Sequence, residues 1–162
     1  MAKDISAVGA KIVFSNLGGS SAGLTISEFS DEGTPFDCPD VDVSTNAKNL
    51  NGEMISSRTP SVIPFSVTVI PGSIADIRLR EAVARSLIRP SNNTPNDVEY
   101  INTVTITMPL VTTRGGSAVA GSNTVTFSNV RIKSGPTGPS TSSEGRMSAR
   151  TYSFEAEDFK YN

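Results

Sequence analysis

The stretch SVIPFSVTVIPGSIADIRLREAVARSLIR, Ser61 to Arg89, decides the fold because it joins a strand pattern to a helix pattern. Its first ten residues are mostly β-branched or aromatic, which favours a strand. From Ser73 onward helix-forming residues dominate; Ser73 is a good N-cap, and Asp76 three residues later is a weak capping-box partner. Pro90 stops the helix. The sequence therefore predicts one helix, Ser73 to Arg89, directly after a strand.

Strand patterns occupy most of the remaining chain. Apolar and polar residues alternate in LTISEF (24–29) and ARTYSFEAEDF (149–159), as in half-buried strands. Asn51-Gly52 between two short strand candidates predicts a hairpin. Pro64 lacks an amide proton, so its strand is expected at a sheet edge or with a bulge. The other strand candidates are KIVF (11–14), VDVSTN (41–46), EMISSR (53–58), YINTVTITM (100–108) and TVTFSNVRI (124–132).

These elements predict a mainly β protein, an antiparallel β-sandwich or barrel with one α-helix packed outside. The 162 residues suit one domain, 1–162. Flexible loops are expected near 30–40, 111–123 and 134–149. The last of these is polar throughout, with Met147 as its one large apolar residue. In YINTVTITM, strict alternation places Ile101 on the same face as Thr103, Thr105 and Thr107.

The residue inventory argues against catalysis. The chain has no histidine and no tryptophan, and Cys38 is its only cysteine, which removes the common general base and nearly every zinc site. The carboxylates of Glu155 and Glu157 share one strand face, which is more typical of a wet surface than of a glycosidase pair. The acidic residues between 31 and 42 do not have the spacing of an EF-hand loop. We expect no enzyme, no catalytic residue, no cofactor and no metal.

Charge also limits the choice of partners. The net charge is −2 and the isoelectric point is near 5.1, so the chain does not have the basic surface of a protein that grips nucleic acid. Six acidic residues and no basic ones lie between Lys11 and Lys48, which indicates a solvated face or a surface that repels anions. No apolar run is long enough for a secretory signal or a membrane span. We expect a soluble protein made inside a cell, without membrane insertion.

The helix carries two apolar rows rather than one. Leu79, Val83 and Leu87 form the first row; Ile77, Ala84 and Ile88 form the second, roughly opposite. One interpretation is a wide core face covered by arginine stems. The other is that the second row meets another subunit. In that case helix arginines pair with carboxylates of the neighbour. The residues of this contact would be Arg78, Arg85, Arg89, Asp37, Asp40 and Asp42.

Three stretches are similar to the bacteriophage tail tube family, the inner tube of contractile-tailed phages. NGEMISSRTPSVIPFSVTVIPGSIADIRLREAVA (51–84) resembles the family's strand pair leading into its single helix. YINTVTITMP (100–109) resembles the long strand that follows. VTFSNVRIKSGPTGPSTSSEGRMSARTYSFEAED (125–158) resembles the closing unit, in which a Gly/Ser/Thr loop precedes a final strand. The likeness covers about the last two-thirds of the chain.

The resemblance implies a structural virion protein with a tail tube/Hcp-like fold. Hexameric rings of the protein would stack into the hollow inner tail tube that conducts phage DNA into the host. Partners would be copies of itself, and the sheath, tape-measure, baseplate and tail-terminator proteins, with DNA only in transit. The tail would be assembled in the host cytoplasm. The residues expected to face the lumen are Thr103, Thr105, Thr107, Glu155 and Glu157.

Loop 134–149 then has two interpretations. It either orders against the adjacent ring or is a floppy loop without a partner. Two alternatives to the phage tail tube also stay open. One is a tube subunit of a related contractile injection or secretion system, which shares the fold. The other is a monomeric β-sandwich binding module, which would expose clustered aromatic residues; the lack of tryptophan and the presence of only three tyrosines argue against it.

Overall fold

The structure is a computed structural model that describes residues 2–4, 9–17, 23–30, 34–87, 100–114, 117–141 and 143–161. Strands dominate it, with one helix among the described residues, which confirms the predicted fold class. In chain order the elements are β1 (Ala2–Asp4), β2 (Lys11–Phe14), β3 (Leu24–Ile26), β4 (Phe36–Asp37), β5 (Ser44–Lys48), β6 (Met54–Arg58), β7 (Ile63–Val69), α1 (Ile74–Leu87), β8 (Tyr100–Arg114), β9 (Ser117–Ser134) and β10 (Arg150–Tyr161).

Within the described residues, eight strands form one antiparallel sheet. Its order is β3-β2-β8-β9-β10-β7-β4, and β1 pairs with the far end of β8. Strands β5 and β6 form a separate two-stranded hairpin at the predicted Asn51-Gly52 turn, where Gly52 has φ of 81°. At Pro64, β7 pairs only with β10, because β4 reaches no further than Val67 and Ser66. The predicted edge position of Pro64 is confirmed.

The loop predicted over 111–123 is wrong. Strands β8 and β9 extend into it from either end and stay paired, from Val111↔Ala120 to Arg114↔Ser117. The physical reason is that the valines and threonines here favour a paired strand more strongly than nearby glycines disfavour it. In 30–40 the structure has the short strand β4, and in 134–149 an isolated bridge joins Thr141 to Met147.

The sheet is strongly curled, and aromatic side chains fill its inner face. Strands β2 and β10 are three positions apart in the sheet, roughly 14 Å if it were flat. The rings of Phe14 on β2 and Phe154 on β10 nevertheless lie 5.6 Å apart. Phe65 stacks between Phe127 at 4.4 Å and Phe154 at 5.2 Å. The curl therefore creates a half-barrel with a single apolar interior.

Helix α1 covers this interior. Leu79, Ala82 and Val83 are buried in the core cluster. Ser73 caps the helix as predicted, because its hydroxyl accepts a hydrogen bond from the Asp76 amide at 3.2 Å. The described helix ends at Leu87, so the predicted end at Arg89 and Pro90 lies outside the described residues.

The face predicted for Ile101 is wrong: this side chain is fully buried. Asn129 on β9 adopts φ of 54°, a left-handed conformation that asparagine tolerates better than most residues. Neither β8 nor β10 pairs with β9 at Asn129. The alternation of side chains between the two faces of the sheet is interrupted at this position. Ile101 and its cross-strand partner Val130 therefore both point into the core. A residue with positive φ inside a strand thus reverses the face that strict alternation assigns.

Gly135 lets the end of β9 pass between the helix and β10. A Cβ at this position would lie 2.7 Å from Tyr152 Cδ1 and 2.7 Å from Val83 Cγ2. Both neighbours are buried core residues, so a Cβ would fit only if one of them shifted. The chain can therefore leave β9 this close to the core only because residue 135 has no side chain.

We predict that Gly135→Ala destabilises the protein by about 1–3 kcal/mol, because overpacking forces buried side chains from their positions. Gly138→Ala is the matched control, since a Cβ there meets nothing within 4 Å. Urea unfolding of both variants and the unchanged protein measures the difference. Equal free energies of unfolding for the two variants would contradict the packing argument.

Candidate functional site

The described residues hold no group of three His, Cys, Asp or Glu side chains that could bind a metal ion. Cys38 is exposed. Partial desolvation, and then the charge of Asp37, raise the pKa of its thiol, which keeps it a weak nucleophile. A groove of about 440 Å³ is lined by hydroxyl side chains, with Asp37 as the charged residue among them. No helix in the described part of the chain is long and apolar enough to cross a membrane.

The two apolar rows of the helix have different environments. In the first row Leu79 and Val83 are buried, and only Leu87 at the helix end is exposed. In the second row Ile77 is 40% exposed and Ala84 is exposed. Ile88 lies outside the described residues. The helix therefore does not have one wide core face: the first row packs on the sheet of its own protomer, and the second faces outward.

The structure separates the predicted contact arginines. The Arg78 guanidinium donates to the carbonyl oxygens of Gly23 and Leu17 at 2.8 and 2.9 Å, so it ties α1 to the β2–β3 connection. Arg85 Nε donates to the carbonyl of Glu81 in its own helix at 3.4 Å. Arg89 lies outside the described residues. Arg78 thus has a role inside the protomer that the sequence did not indicate.

The predicted carboxylates Asp37, Asp40 and Asp42 are all exposed. Phe36 packs against the core, so Asp37, the next residue of β4, points to the opposite face of the sheet. Helix α1 covers the core face. Asp37 can therefore meet a helix arginine only in another protomer, and this contact stays a prediction.

The sheet face opposite the core is polar and carries both signs of charge. Thr103, Thr105 and Thr107 are half-buried on it. Cross-strand partners share a face of a sheet. The register aligns Thr103 with Ser128 and Asp158. It aligns Thr105 with Thr126 and Lys160. We call this surface, with the cross-strand pair Arg131 and Glu155, the outer face.

The two predicted lumen carboxylates both have partners on this face. Glu155 forms an ion pair with Lys133 at 3.0 Å. Glu157 accepts a hydrogen bond from the side-chain amide (Nδ2) of Asn129 at 2.9 Å. The outer face is therefore a balanced surface of hydroxyls and paired charges rather than an acidic one.

A buried ionic cluster joins the helix to β10. Asp76, Arg150 and Tyr152 are at most 4% exposed. The Asp76 carboxylate accepts hydrogen bonds from the Tyr152 hydroxyl at 2.8 Å and from the Gly72 amide at 2.9 Å. Arg150 Nη1 lies 3.4 Å from Asp76 Oδ2, and its Nε has no hydrogen-bond partner in the described part of the chain. Arg150 is two residues before Tyr152 and four before Phe154, so alternation places all three on the same face of β10. This spacing in the sequence could have predicted that Arg150 is buried.

The β5–β6 hairpin extends from the body of the protein. All ten of its strand residues are exposed, and among the described residues β5 and β6 pair only with each other. An isolated two-stranded hairpin is only marginally stable in water. It nevertheless exposes large apolar side chains around its strands, namely Val43, Leu50, Met54, Ile55 and Val62.

The end of β10 is the second uncovered region. Strand β7 pairs with β10 only from Arg150 to Ala156. The remaining segment, Glu157 to Tyr161, which we call the β10 tail, is paired only with β9 among the described residues. Phe159 is 52% exposed and Tyr161 63% exposed. The tail therefore presents a free strand edge beside two uncovered aromatic rings, the situation that invites pairing with another chain.

The comparison with protein families places the chain. The family model described as "Tail fiber protein gp32" matches residues 3–160. The chain belongs to the tail fiber protein gp32 family. No curated protein sequence matches this gp32 family member.

Solved structures with a similar fold come from contractile injection systems. The chain matches the PVC sheath–tube complex in the extended state with a TM-score of 0.56 and 14% identity, over 96% of this chain and 89% of that one. It matches the PVC sheath/tube terminator with 0.55 and 15%, over 94% and 92%. It matches the anti-feeding prophage tube-terminating cap with 0.53 and 14%, over 98% and 91%. The resemblance to tail tube proteins is confirmed at the level of the fold, and this gp32 family member is a structural component of a phage-like tail.

We predict that Arg150→Met lowers the free energy of unfolding by about 3–5 kcal/mol, because it leaves the Asp76 carboxylate buried without its cation. Arg131→Met is the control: Arg131 is exposed on the neighbouring strand, and its loss should cost about 1 kcal/mol or less. Chemical unfolding of the two variants measures this contrast. A similar, small loss in both would show that the buried pair does not contribute to stability.

The same cluster predicts a pH dependence. Burial, then the hydrogen bond to Asp76 and its charge, raise the pKa of the Tyr152 hydroxyl, while Arg150 opposes them. The protonated Tyr152 hydroxyl therefore stabilises the folded protein. This stabilisation is present in full below the unfolded tyrosine pKa of about 10 and is lost as pH rises through the folded pKa. Tyr152→Phe should therefore lose less stability between pH 9 and about pH 11 than the unchanged protein. Tyr161→Phe, at an exposed tyrosine, is the control; equal slopes in all three proteins would contradict the prediction.

Proposed function

We propose that the protein is the tail tube subunit of a contractile phage tail. Its hexameric rings stack into a hollow inner tube that conducts phage DNA into the host, and the tail is assembled in the host cytoplasm. One observation carries the proposal: in a chain with the fold of tube and tube-terminating proteins, the described residues leave both an apolar hairpin and a strand edge without a partner.

Closure into a ring follows from the physics of strand edges. An exposed edge beside apolar side chains leads to open-ended aggregation unless another chain covers it. Contacts between different surfaces of identical copies produce a ring when the rotation between neighbours closes. A closed ring of identical subunits therefore covers the free strand edge of every subunit. The two flat faces of the ring stay uncovered, and further rings can stack on them.

The outer face is suited to line the lumen. Hydroxyl groups such as those of Thr103, Thr105 and Thr107 keep a channel wall hydrated. Because Glu155 is neutralised by Lys133, the wall would neither bind a passing polyanion tightly nor repel it strongly. The lumen wall would therefore be balanced in charge rather than acidic, and DNA would slide along it.

Helix α1 covers the opposite side of the sheet, so in this arrangement it lies on the outside of the tube. Its second apolar row, with Ile77 exposed, would be available to the sheath. Arg85 would meet Asp37, Asp40 or Asp42 of a neighbouring subunit. Loop 134–149 would lie against the adjacent ring, and the tape-measure, baseplate and tail-terminator proteins would contact the lumen and the ends of the tube.

Other assemblies differ from this one in observable ways. A tube terminator or cap is the second candidate, because such proteins match the fold about as well as the sheath–tube complex does. The tube of a related contractile injection system would have the same subunit architecture. A fibre, which the family description names, would have no channel. A monomeric binding module is disfavoured because Phe159 and Tyr161 flank a free strand edge instead of lining a groove.

We predict that the purified full-length protein forms rings with six-fold symmetry and a central hole, which stack into tubes as concentration increases. Negative-stain electron microscopy with class averaging measures ring symmetry, and sedimentation velocity measures the assembled fraction. Unstacked rings would favour the terminator, and solid filaments a fibre. A uniformly monomeric species at high concentration would contradict the proposal.

A further inference from the structure

We infer that the β5–β6 hairpin of one copy docks on the β10 tail of the next copy and completes its core. The inference rests on the proposed function and names the two surfaces by which neighbouring subunits would join. The occupant of the β10 tail is a second copy of this chain, and the contact is head-to-tail, since the two surfaces are different.

The two sides of the hairpin differ in character. Its register pairs Ala47 with Ile55, and Val43 lies on the same side because its carbonyl accepts from the Thr59 amide, which extends the ladder. We call this side the Ile55 face; it also carries the hydroxyls of Thr45 and Ser57. The opposite side, the Arg58 face, carries the two basic residues Lys48 and Arg58, with Met54 opposite Lys48. The strand residues of both faces are exposed, and the Ile55 face has the larger share of apolar side chains.

The β10 tail has the complementary pattern. Phe159 lies opposite Phe127, which is 2% exposed, so Phe159 is on the core face of the sheet although nothing covers it. On the outer face the tail carries Asp158, opposite Ser128, and Lys160, opposite Thr126. The tail therefore combines an apolar inner side with a charged outer side that includes Asp158.

The two surfaces fit when a hairpin strand is added at the free edge of the tail. The Ile55 face then continues the core face and covers Phe159 and Tyr161, while the Arg58 face continues the outer face beside Asp158. Apolar meets apolar and basic meets acidic, so one geometry satisfies both sides of the sheet. The Phe159 amide donates to the Asp158 carboxylate at 2.8 Å, so the added strand would pair with the other outward-pointing backbone groups of the β10 tail.

The hairpin of the same copy does not fill this position. Strand β7 begins at Ile63, opposite Ala156, and the preceding residues would continue along the β10 tail if the chain ran straight. Instead the chain leaves the ladder at Pro60 to Val62, and Val62 is 54% exposed. Proline cannot donate to such a ladder. Because the β5–β6 hairpin leaves the β10 tail of its own copy uncovered, it is available to pair with the β10 tail of an identical copy.

Two variants with complementary defects test the inference. Ile55→Asp destroys the hairpin surface, and Phe159→Asp destroys the β10 tail surface; each alone should weaken association by more than about tenfold and leave folded monomers. Mixed in equal amounts, they retain one intact hairpin and one intact tail between them. The mixture should therefore form a dimer with one copy of each variant that cannot grow further, measured by light scattering after gel filtration.

Met54→Gln is the control at the adjacent residue, on the Arg58 face, because it removes an apolar side chain there without placing a negative charge beside Asp158. It should assemble as the unchanged protein does. Circular dichroism of each variant checks folding. A second measurement does not depend on the charged variants: in a Cys38→Ser background, Ile55→Cys with Phe159→Cys should give a ladder of disulfide-linked subunits in oxidised tubes.

The outcomes separate this inference from the proposed function. Tubes formed by the unchanged protein, monomers from each variant and a two-chain complex from the mixture support it. Tubes from either charged variant, a mixture that stays monomeric, or assembled tubes without cross-links overturn the inference and leave the tube function standing. Failure of the unchanged protein to assemble at all would overturn both.

Discussion

The curl of the main sheet controls the rest of the structure. It brings Phe14 and Phe154 into contact although their strands are three positions apart, and it gives the sheet an apolar inside and a polar outside. One helix is wide enough to cover the middle of the inside but not the end of β10. The rings of Phe159 and Tyr161 at that end are therefore exposed, whereas the phenylalanine rings under the helix are buried.

An incomplete half-barrel of this kind is well suited to assembly. Among the described residues, the β5–β6 hairpin pairs with no other strand and the β10 tail has no strand on its second edge; the proposed assembly would supply both from identical copies. The fold of contractile injection system tube and terminator proteins agrees with this interpretation, and so does membership of a tail protein family.

The charged residues show the limits of sequence interpretation most clearly. Arg78, Arg85 and Arg89 look equivalent on a helical wheel, but the fold places two carbonyl groups beside Arg78 and makes it an internal tie. Glu155 looks like part of an acidic wall until the register places Lys133 next to it. In both cases the partner is distant in sequence, and pairing between strands or across a loop decides the charge of the surface.

The sequence by itself determined the class of the protein: period-two alternation in β10, the Ser73 cap and the Asn51-Gly52 turn are local signals, and each depends on interactions between residues close together in the chain. Only the tertiary structure decided which surfaces are complete. The reversal of faces at Asn129, the burial of Arg150 against Asp76 and the exposure of Phe159 all depend on how far the sheet curls and where the helix ends on it. That is a property of all the strands together, because cover for a side chain comes from elements far away in the sequence.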